Sequence, residues 1–574
     1  MFKRFPFLWL MFSLPVGFGL VSVADDENST GTPSNPAAFR RFDAISCAPF
    51  AYVPEDYLKL KIEEKAGIGK IDFPISTTSR EAQLFFNQGM AFLWSFEYVQ
   101  AARSLYTAAS FDSVAPMIYW GLSQAYESMD DSTEARNMAA KAVALSPQVT
   151  DREQSFITLQ RAVTTPAYDS TAVAQLRIEV SGLMDMANQT LPADPQMWMY
   201  TGVLRAYSDF KGPEGETYAQ KCRQAIDHYL SKTLALVPAH FGAFHYLIHL
   251  NEGTSEFQKA LSYGEQYTQL APAVPHAWHM YAHDLMKTGR VSEAIEKFNY
   301  AFSLEKKKYE TEQMPAHYDW HHQHNMELLA YCYQYKGQFR KAEDIFSKLD
   351  TLKAFVPRME GRIRKGHPYF YLQNNQPEKA MVLAKPLTNS PEATNQYMGN
   401  FIEGLAHVFQ KNGPAALQNY QKMLHIVDSM KNSDIQQGMR PADAEEAYNY
   451  MYARAGIVNM GAGLLKDAYD TTLLKKMKGI QATLLKQTGP DPWIDALYFL
   501  QMLTQLSMKT GNLQLAETSA NNMVLHDPEY PGSYWLLAQI KKSQGEMKAS
   551  NSNLEKAKRL FKDADEDLIA RLVL

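Results

Sequence analysis

The sequence predicts an all-α fold, a solenoid of stacked helix-turn-helix repeats, and three observations predict it. From about residue 79 the apolar residues recur with helical periodicity broken by short turns, with almost no alternation of period two. Positions recur at an offset of 34: Ala101 and Ala108 with Ala135 and Ala142, Ala260 with Ala294, and Gly511 with Gly545. Ala294 meets Ala342 only after a 14-residue insertion. Finally, 574 residues exceed what one core organises, so a repeat array or several packed units must follow.

The elements can be justified in chain order. Residues 1–24 open with MFKR, continue as an apolar run from Phe5 to Val23 and end on small residues, which predicts a cleaved signal peptide and a secreted or periplasmic protein. No later stretch reaches the roughly 18 apolar residues of a membrane span, so none is expected after signal cleavage. Residues 25–72 begin polar and rich in Ser, Thr and Pro and are expected to form a flexible or extended leader. Asn28 and Asn188 head weak glycosylation patterns. Residues 73–350 form the first solenoid segment. Its clearest unit starts at Pro275, where Trp278, Tyr281, Ala282, Leu285, Gly289, Ala294, Phe298 and Ala301 occupy the positions of a 34-residue helical hairpin repeat, similar to the tetratricopeptide (TPR) pattern. Small residues let the helices approach while Trp278 and Phe298 fill the seam. A Pro-rich, basic stretch at 351–368 is expected as a linker, and 369–574 as a second helical repeat segment.

Composition narrows the function. With 57 Lys+Arg against 62 Asp+Glu the net charge is -5, without the basic footprint of a nucleic-acid binder. Cys47, Cys222 and Cys332 are too few for a disulfide scaffold and form no Cys-x-x-Cys pair. Phosphate loops, Gly-x-Ser-x-Gly elbows, His-Glu-x-x-His and haem-attachment motifs are absent from the sequence.

Histidine is the distinctive signal. Ten of the fifteen lie between His240 and His324, where an even spread gives about two. His245 and His249 stand one 34-residue period before His279 and His283, and His324 is equivalent to His276 after the insertion. At 100° per residue, His276, His279 and His283 fall within a sector of about 60°, opposite the stripe of Trp278, Tyr281, Ala282 and Leu285 expected to pack inward; the histidines are therefore expected on the concave inner groove. Glu252 lies one turn beyond His249. An i, i+4 pair offers two nitrogens to one ion and a parallel neighbour supplies more, so His245, His249, His276, His279, His283, His324 and Glu252 are the candidate metal ligands or their supports, for Cu, Zn or Fe. Glu327, equivalent to His279, is a weaker candidate; Tyr331, equivalent to His283, is expected to face the groove, and Cys332 to be buried. His317, His321 and His322 are expected on the surface or behind the ligands, and His240 has no period partner.

Four segments carry a further resemblance: residues 73–126, FHYLIHLNE (244–252), APAVPHAWHMYAHDLMKTGRVSEAI (271–295) and QHNMELLAY (323–331). They resemble a large group of mostly bacterial TPR proteins of unassigned biochemical function, whose members carry HYxIHxxE, HxxHMPxHI and PHN segments. The likeness covers about 73–345 and implies the same histidines and Glu252, and adds Asn325. Tyr281 and Gln323 stand where that group has Pro.

Two functions follow as expectations. The first is an exported solenoid binding a transition metal, with catalytic residues and any reaction left open. The second is a metal-free scaffold whose groove holds a peptide or protein partner.

Overall fold

The computed structural model describes residues 53–129, 131–166, 170–207, 216–252, 256–352, 360–436, 441–466, 479 and 490–571, and among them every regular element is helical. The predicted signal peptide, the Asn28 pattern and Cys47 lie outside the described residues. After the single turn α1 (Glu55–Leu58) come α2 (Arg80–Leu93), α3 (Tyr98–Phe111), α4 (Pro116–Ser128), α5 (Ser132–Leu145), α6 (Asp151–Val163), α7 (Ser170–Thr190), α8 (Pro195–Tyr207) and α9 (Glu216–Leu236). The histidine-bearing hairpins follow as α10 (Phe241–Glu252), α11 (Phe257–Leu270), α12 (Pro275–Lys287), α13 (Val291–Glu312), α14 (Trp320–Tyr335) and α15 (Phe339–Thr351). Beyond them lie α16 (Glu360–Ile363), α17 (Gly366–Gln373), α18 (Pro377–Thr388), α19 (Ala393–Phe409), α20 (Gly413–Gln436) and α21 (Pro441–Leu464). The chain ends with α22 (Pro490–Lys509), α23 (Leu513–His526), α24 (Pro531–Ser543), α25 (Met547–Leu560) and α26 (Glu566–Arg571). No helix among the described residues is long and apolar enough to cross a membrane.

Local chemistry starts and stops these helices. Proline opens α4, α12, α18 and α24, where a missing N–H costs no intrahelical bond. Side chains cap others: Ser79 accepts from the Ala82 N–H, and Thr150 and Glu153 form a reciprocal capping box. Between the helices of a hairpin the chain needs one residue in the left-handed region. Gly289 (φ 77°) and Gly337 (φ 72°) supply it without a Cβ penalty. In the α2–α3 turn the same place is held by Phe96 (φ 60°), a conformation that costs an aromatic residue about 1–2 kcal/mol. Ala101, Ala108, Ala135, Ala142, Ala282, Ala294 and Ala301 are all fully buried, as the close approach of paired helices requires.

Residues 53–72 are largely without helix yet packed: Leu58, Ile62, Ile68 and Ile71 are buried, and the Ala273 N–H donates to the Gly67 carbonyl at 2.8 Å. Within the expected linker, α16 and the start of α17 continue the helical stack. One buried apolar cluster runs to Met280 of α12 and includes Met314, and a second takes in Ala282, Leu285 and the helices beyond. The C-terminal helices return to α14: Asp565 N–H donates to the Gly337 carbonyl (3.1 Å) and Tyr335 donates to Asp527 (2.8 Å). Asn188 is buried and donates to Thr201 (3.0 Å), which removes it as a glycosylation acceptor in the folded chain.

Candidate metal centre

The repeat places α10, α12 and α14 side by side as successive first helices of three hairpins, and the histidines meet where these helices face one another. They form two separate groups. His245 and His249 of α10 meet His276 of α12, and His279 and His283 of α12 meet His324 of α14; in each group the ligand atoms lie within 4.8 Å of one another. The construction rule is the same in both: an i, i+4 pair, plus the residue three before the equivalent pair on the next helix. One repeat further on, the pair positions are Glu327 and Tyr331. There Tyr331 donates to Glu327 (2.9 Å) and Lys365 closes an ion pair with it (3.2 Å), so the slot is filled by charge.

Ring orientation follows from what lies behind each imidazole. In the first group His245 Nδ1 is 2.6 Å from the Trp94 carbonyl, which can only accept, so Nδ1 carries the proton and Nε2 a bare lone pair. That Nε2 is 3.2 Å from His249 Nε2 and 3.0 Å from His276 Nε2. One lone pair cannot satisfy two neighbours, and His249 has its own Nδ1 turned to the Glu252 carboxylate at 3.4 Å. Two nitrogens 3.0 and 3.2 Å from a third, all within 4.8 Å of one another, can close on one ion at about 2.0–2.1 Å. In the second group His279 Nδ1 is 3.0 Å from Asn325 Oδ1, and the Asn325 amide is fixed by donating to the Phe298 carbonyl (3.1 Å). His283 Nδ1 faces Glu252 at 3.3 Å, and His324 Nδ1 lies 3.8 Å from Glu327. The Nε2 atoms of His279 and His283 are buried with no hydrogen-bond partner.

Electrostatics matches ligation by neutral rings. Burial holds His245, His276 and His279 well below the ordinary histidine range, with neighbouring histidines pushing the same way, and burial lowers His283 to about 4. Burial alone would raise the Glu252 carboxyl; Lys287 and the contacts from His249 and His283 outweigh it and hold Glu252 well below the usual range. Glu252 therefore stands as an anion behind one ring of each group, on the Nδ1 side, where it orients ligands rather than facing the gathered Nε2 atoms.

The concave-groove expectation is corrected. His245, His276, His279 and His283 are 0% exposed, whereas Trp278 and Tyr281, expected to pack inward, are half-buried. The reason is tertiary: the α2–α3 turn inserts over the histidine face, with the Phe96 ring 4.3 Å from His245 and 5.4 Å from both His249 and His276. On the other side Phe298 packs 5.5 Å from His279, and Trp320 stacks 5.6 Å from His324. Tyr331 is likewise buried rather than groove-facing, and Cys332 is buried as expected. His321 and His322, expected on the surface or behind the ligands, are buried in the first turn of α14. The His321 ring is 4.2 Å from His276, its Nε2 without a partner, and His322 pairs with Glu305 (2.7 Å). His240 belongs to neither group; its Nδ1 caps α10 by accepting the Ala243 N–H at 3.2 Å.

Two features escaped sequence reasoning. Asp284 is buried with both oxygens unpartnered, and burial, reinforced by Glu252, pushes its carboxyl well above the usual range. Its position directly after His283 was the available signal. The second is a network over the first group, in which Lys308 binds Glu97 (2.7 Å) and Asp319 (2.6 Å), with Asp319 Oδ1 3.5 Å from His321. A cavity of about 20 Å³, room for one water, lies between this network, Phe96 and Trp320.

Comparison with known proteins supports the repeat. Residues 118–149, spanning α4 and α5, match the tetratricopeptide repeat family. Solved structures similar to the chain include Naa15/Naa10 bound to HypK-THB, at 14% identity over 86% of this chain and 84% of that one with a TM-score of 0.30. Yeast Tom70 is similar at 14% identity over 86% and 94%, TM-score 0.30. The apo form of the quorum sensor NprR from B. thuringiensis is similar at 13% identity over 67% and 94%, TM-score 0.33. No curated protein matches the sequence.

Proposed function

We propose that this TPR-repeat helical protein holds two transition-metal ions, one in each buried tri-histidine group, with His245, His249 and His276 as ligands of the first and His279, His283 and His324 of the second. The observation that carries the reading is in the first group, where the Nε2 atoms of His276 and His249 lie 3.0 and 3.2 Å from His245 Nε2, on a ring whose proton is committed to the Trp94 carbonyl. A cation resolves the opposed lone pairs; an empty pocket keeps them. All-nitrogen sites suit Cu, Zn or Fe. Glu252, Asn325 and the Trp94 carbonyl orient the rings, and Phe96 and Trp320 exclude water. Three protein ligands per ion leave a coordination position for a small exogenous ligand, the arrangement of reactive rather than purely structural sites. The N-terminal sequence supports metal loading outside the cytoplasm, and the motif resemblance supports a place among the TPR proteins carrying the same histidine segments.

A metal-free scaffold remains the second reading, favoured by the repeat itself. The burial of the histidines argues against their contacting a partner in the open groove. Elemental analysis of the protein lacking residues 1–24, purified without a histidine tag, tests the proposal. About two equivalents of one metal are expected, falling to about one in either His245→Ala or His279→Ala. Absence of metal after anaerobic and aerobic reconstitution, together with a melting temperature indifferent to EDTA, sinks it.

A further inference from the structure

The roomiest binding cavity near the C-terminal helices lies away from the histidines, and its lining has a consistent chemistry. It measures about 320 Å³, within the range of small-ligand sites, and is enclosed by α14, α15, α17 and α19 on one side and α22, α24, α25 and α26 on the other. Gln373, Gln501, Gln505 and Gln539 project carboxamides at its wall, with Phe409 and Trp535 among the aromatic faces between them. No carboxylate is present among the described lining residues. The cation there, Lys509, is engaged by Asn375 at 2.6 Å.

Three carboxamide atoms at this wall are buried without hydrogen-bond partners: Oε1 of Gln334, Nε2 of Gln373 and Oε1 of Gln505. Gln334 donates to Gln373, which holds both amides in orientation while Gln334 Oε1 and Gln373 Nε2 stay unused, and Tyr530 donates to Gln501. Unpaired polar atoms at a cavity wall cost stability unless a ligand or water meets them. The ligand they fit must donate and accept in alternation, carry no net charge, and present an apolar face to aromatic rings. Hydroxyl groups on a pyranose ring meet all three conditions, since each hydroxyl both donates and accepts and the ring's C–H faces stack on Trp.

The C-terminal segment contributes to the cavity. The return of the C-terminus onto the α14–α15 turn forms one wall: Asp565 N–H bonds the Gly337 carbonyl (3.1 Å), Gln338 bonds the Asp563 carbonyl (2.9 Å), and Phe561 and Leu568 pack beside the Gly337 turn and line the cavity. One or two sugar rings fit a volume of this size. We infer that this cavity is a binding site for a neutral mono- or oligosaccharide, held by glutamine carboxamides and stacked on Trp535. Its position away from the tri-histidine groups makes it independent of the metal reading.

The test applies the full chain lacking residues 1–24 to an array of neutral oligosaccharides and, in parallel, to an array of random peptides, with tryptophan fluorescence titration of any hit. The expected result is retention of at least one neutral glycan, weakened tenfold or more by Gln505→Leu and by Trp535→Ala, with the exposed-surface variant Ile178→Ala leaving it unchanged. Circular dichroism and melting verify folding; should either variant unfold, Gln539→Leu replaces it. Failure to retain any neutral glycan overturns the inference. Capture of peptides in place of glycans, or glycan affinity indifferent to the folded variants, overturns it equally.

Discussion

Replacing Asn325 with Leu should weaken the second metal group while leaving the first intact. Asn325 touches the metal in neither group; its Oδ1 accepts from His279 Nδ1 at 3.0 Å, and its amide is held by the Phe298 carbonyl at 3.1 Å. Leucine has the same branched four-atom skeleton, so the change removes the acceptor without opening a cavity. With nothing to hold the Nδ1 proton, the buried His279 ring can move it to Nε2, the atom required for ligation, and a metal must then displace it. Loss of such an orienting partner weakens metal binding roughly 10- to 100-fold, which is about 1.4 to 2.7 kcal/mol. An unpaired His279 N–H adds about 1–3 kcal/mol of destabilisation to the metal-free fold. The assay is competition against a chromophoric chelator, which resolves two affinities, with thermal melting of the metal-free protein beside it. One weakened and one unchanged site are expected. Equal weakening of both, or two unchanged sites, would refute the reasoning, because the bond to Asn325 would then not set the ring of His279 alone.

The other predictions are shorter. His240→Ala should leave metal content unchanged and cost about 1 kcal/mol, the loss of a helix cap, read by denaturant unfolding and elemental analysis; loss of metal would place His240 in the site. Phe96→Ala should destabilise by about 3–5 kcal/mol as a buried aromatic, with the left-handed backbone unrelieved because alanine keeps its Cβ, and should speed metal loss to EDTA. Unchanged exchange kinetics would show that Phe96 does not cover the first group. Burial raises Asp527 to about 6, so its protonated form contributes stability that is complete below the ordinary carboxyl range and is lost as pH rises through about 6. The Asp527→Asn variant should flatten that part of the pH–stability profile, measured by melting between pH 4 and 7 (roughly the window of the shift); a profile matching the parent would assign the slope elsewhere.

The repeat register was legible in the sequence because helical packing imposes it residue by residue. His245 and His249 stand one period from His279 and His283, and the structure sets both pairs on equivalent turns of α10 and α12. His240 lacked a period partner and serves as a cap instead. The division into two triads was not legible. It depends on His276 reaching back to α10 while its helix neighbours His279 and His283 reach forward to α14, a matter of interhelical geometry that a single helical wheel does not contain. His321, expected on the surface or behind the ligands, lies in the first turn of α14 with its ring 4.2 Å from His276.

Periodicity by itself determined the all-α repeat, the turn glycines, and the identity and equivalence of the clustered histidines, because each is a property of one helix or of the spacing between two. Tertiary structure alone decided that the histidine face is sealed. The plug is Phe96, distant in sequence from His245 and brought over it by the α2–α3 turn, so a face polar by composition became the most buried one. Tertiary structure also decided which nitrogen of each ring is free, since the atoms that hold the opposite nitrogens, the Trp94 carbonyl, Glu252 and Asn325, come from three different helices or turns. Hydrogen-bond direction is fixed by such partners in space, and local sequence carries no record of them.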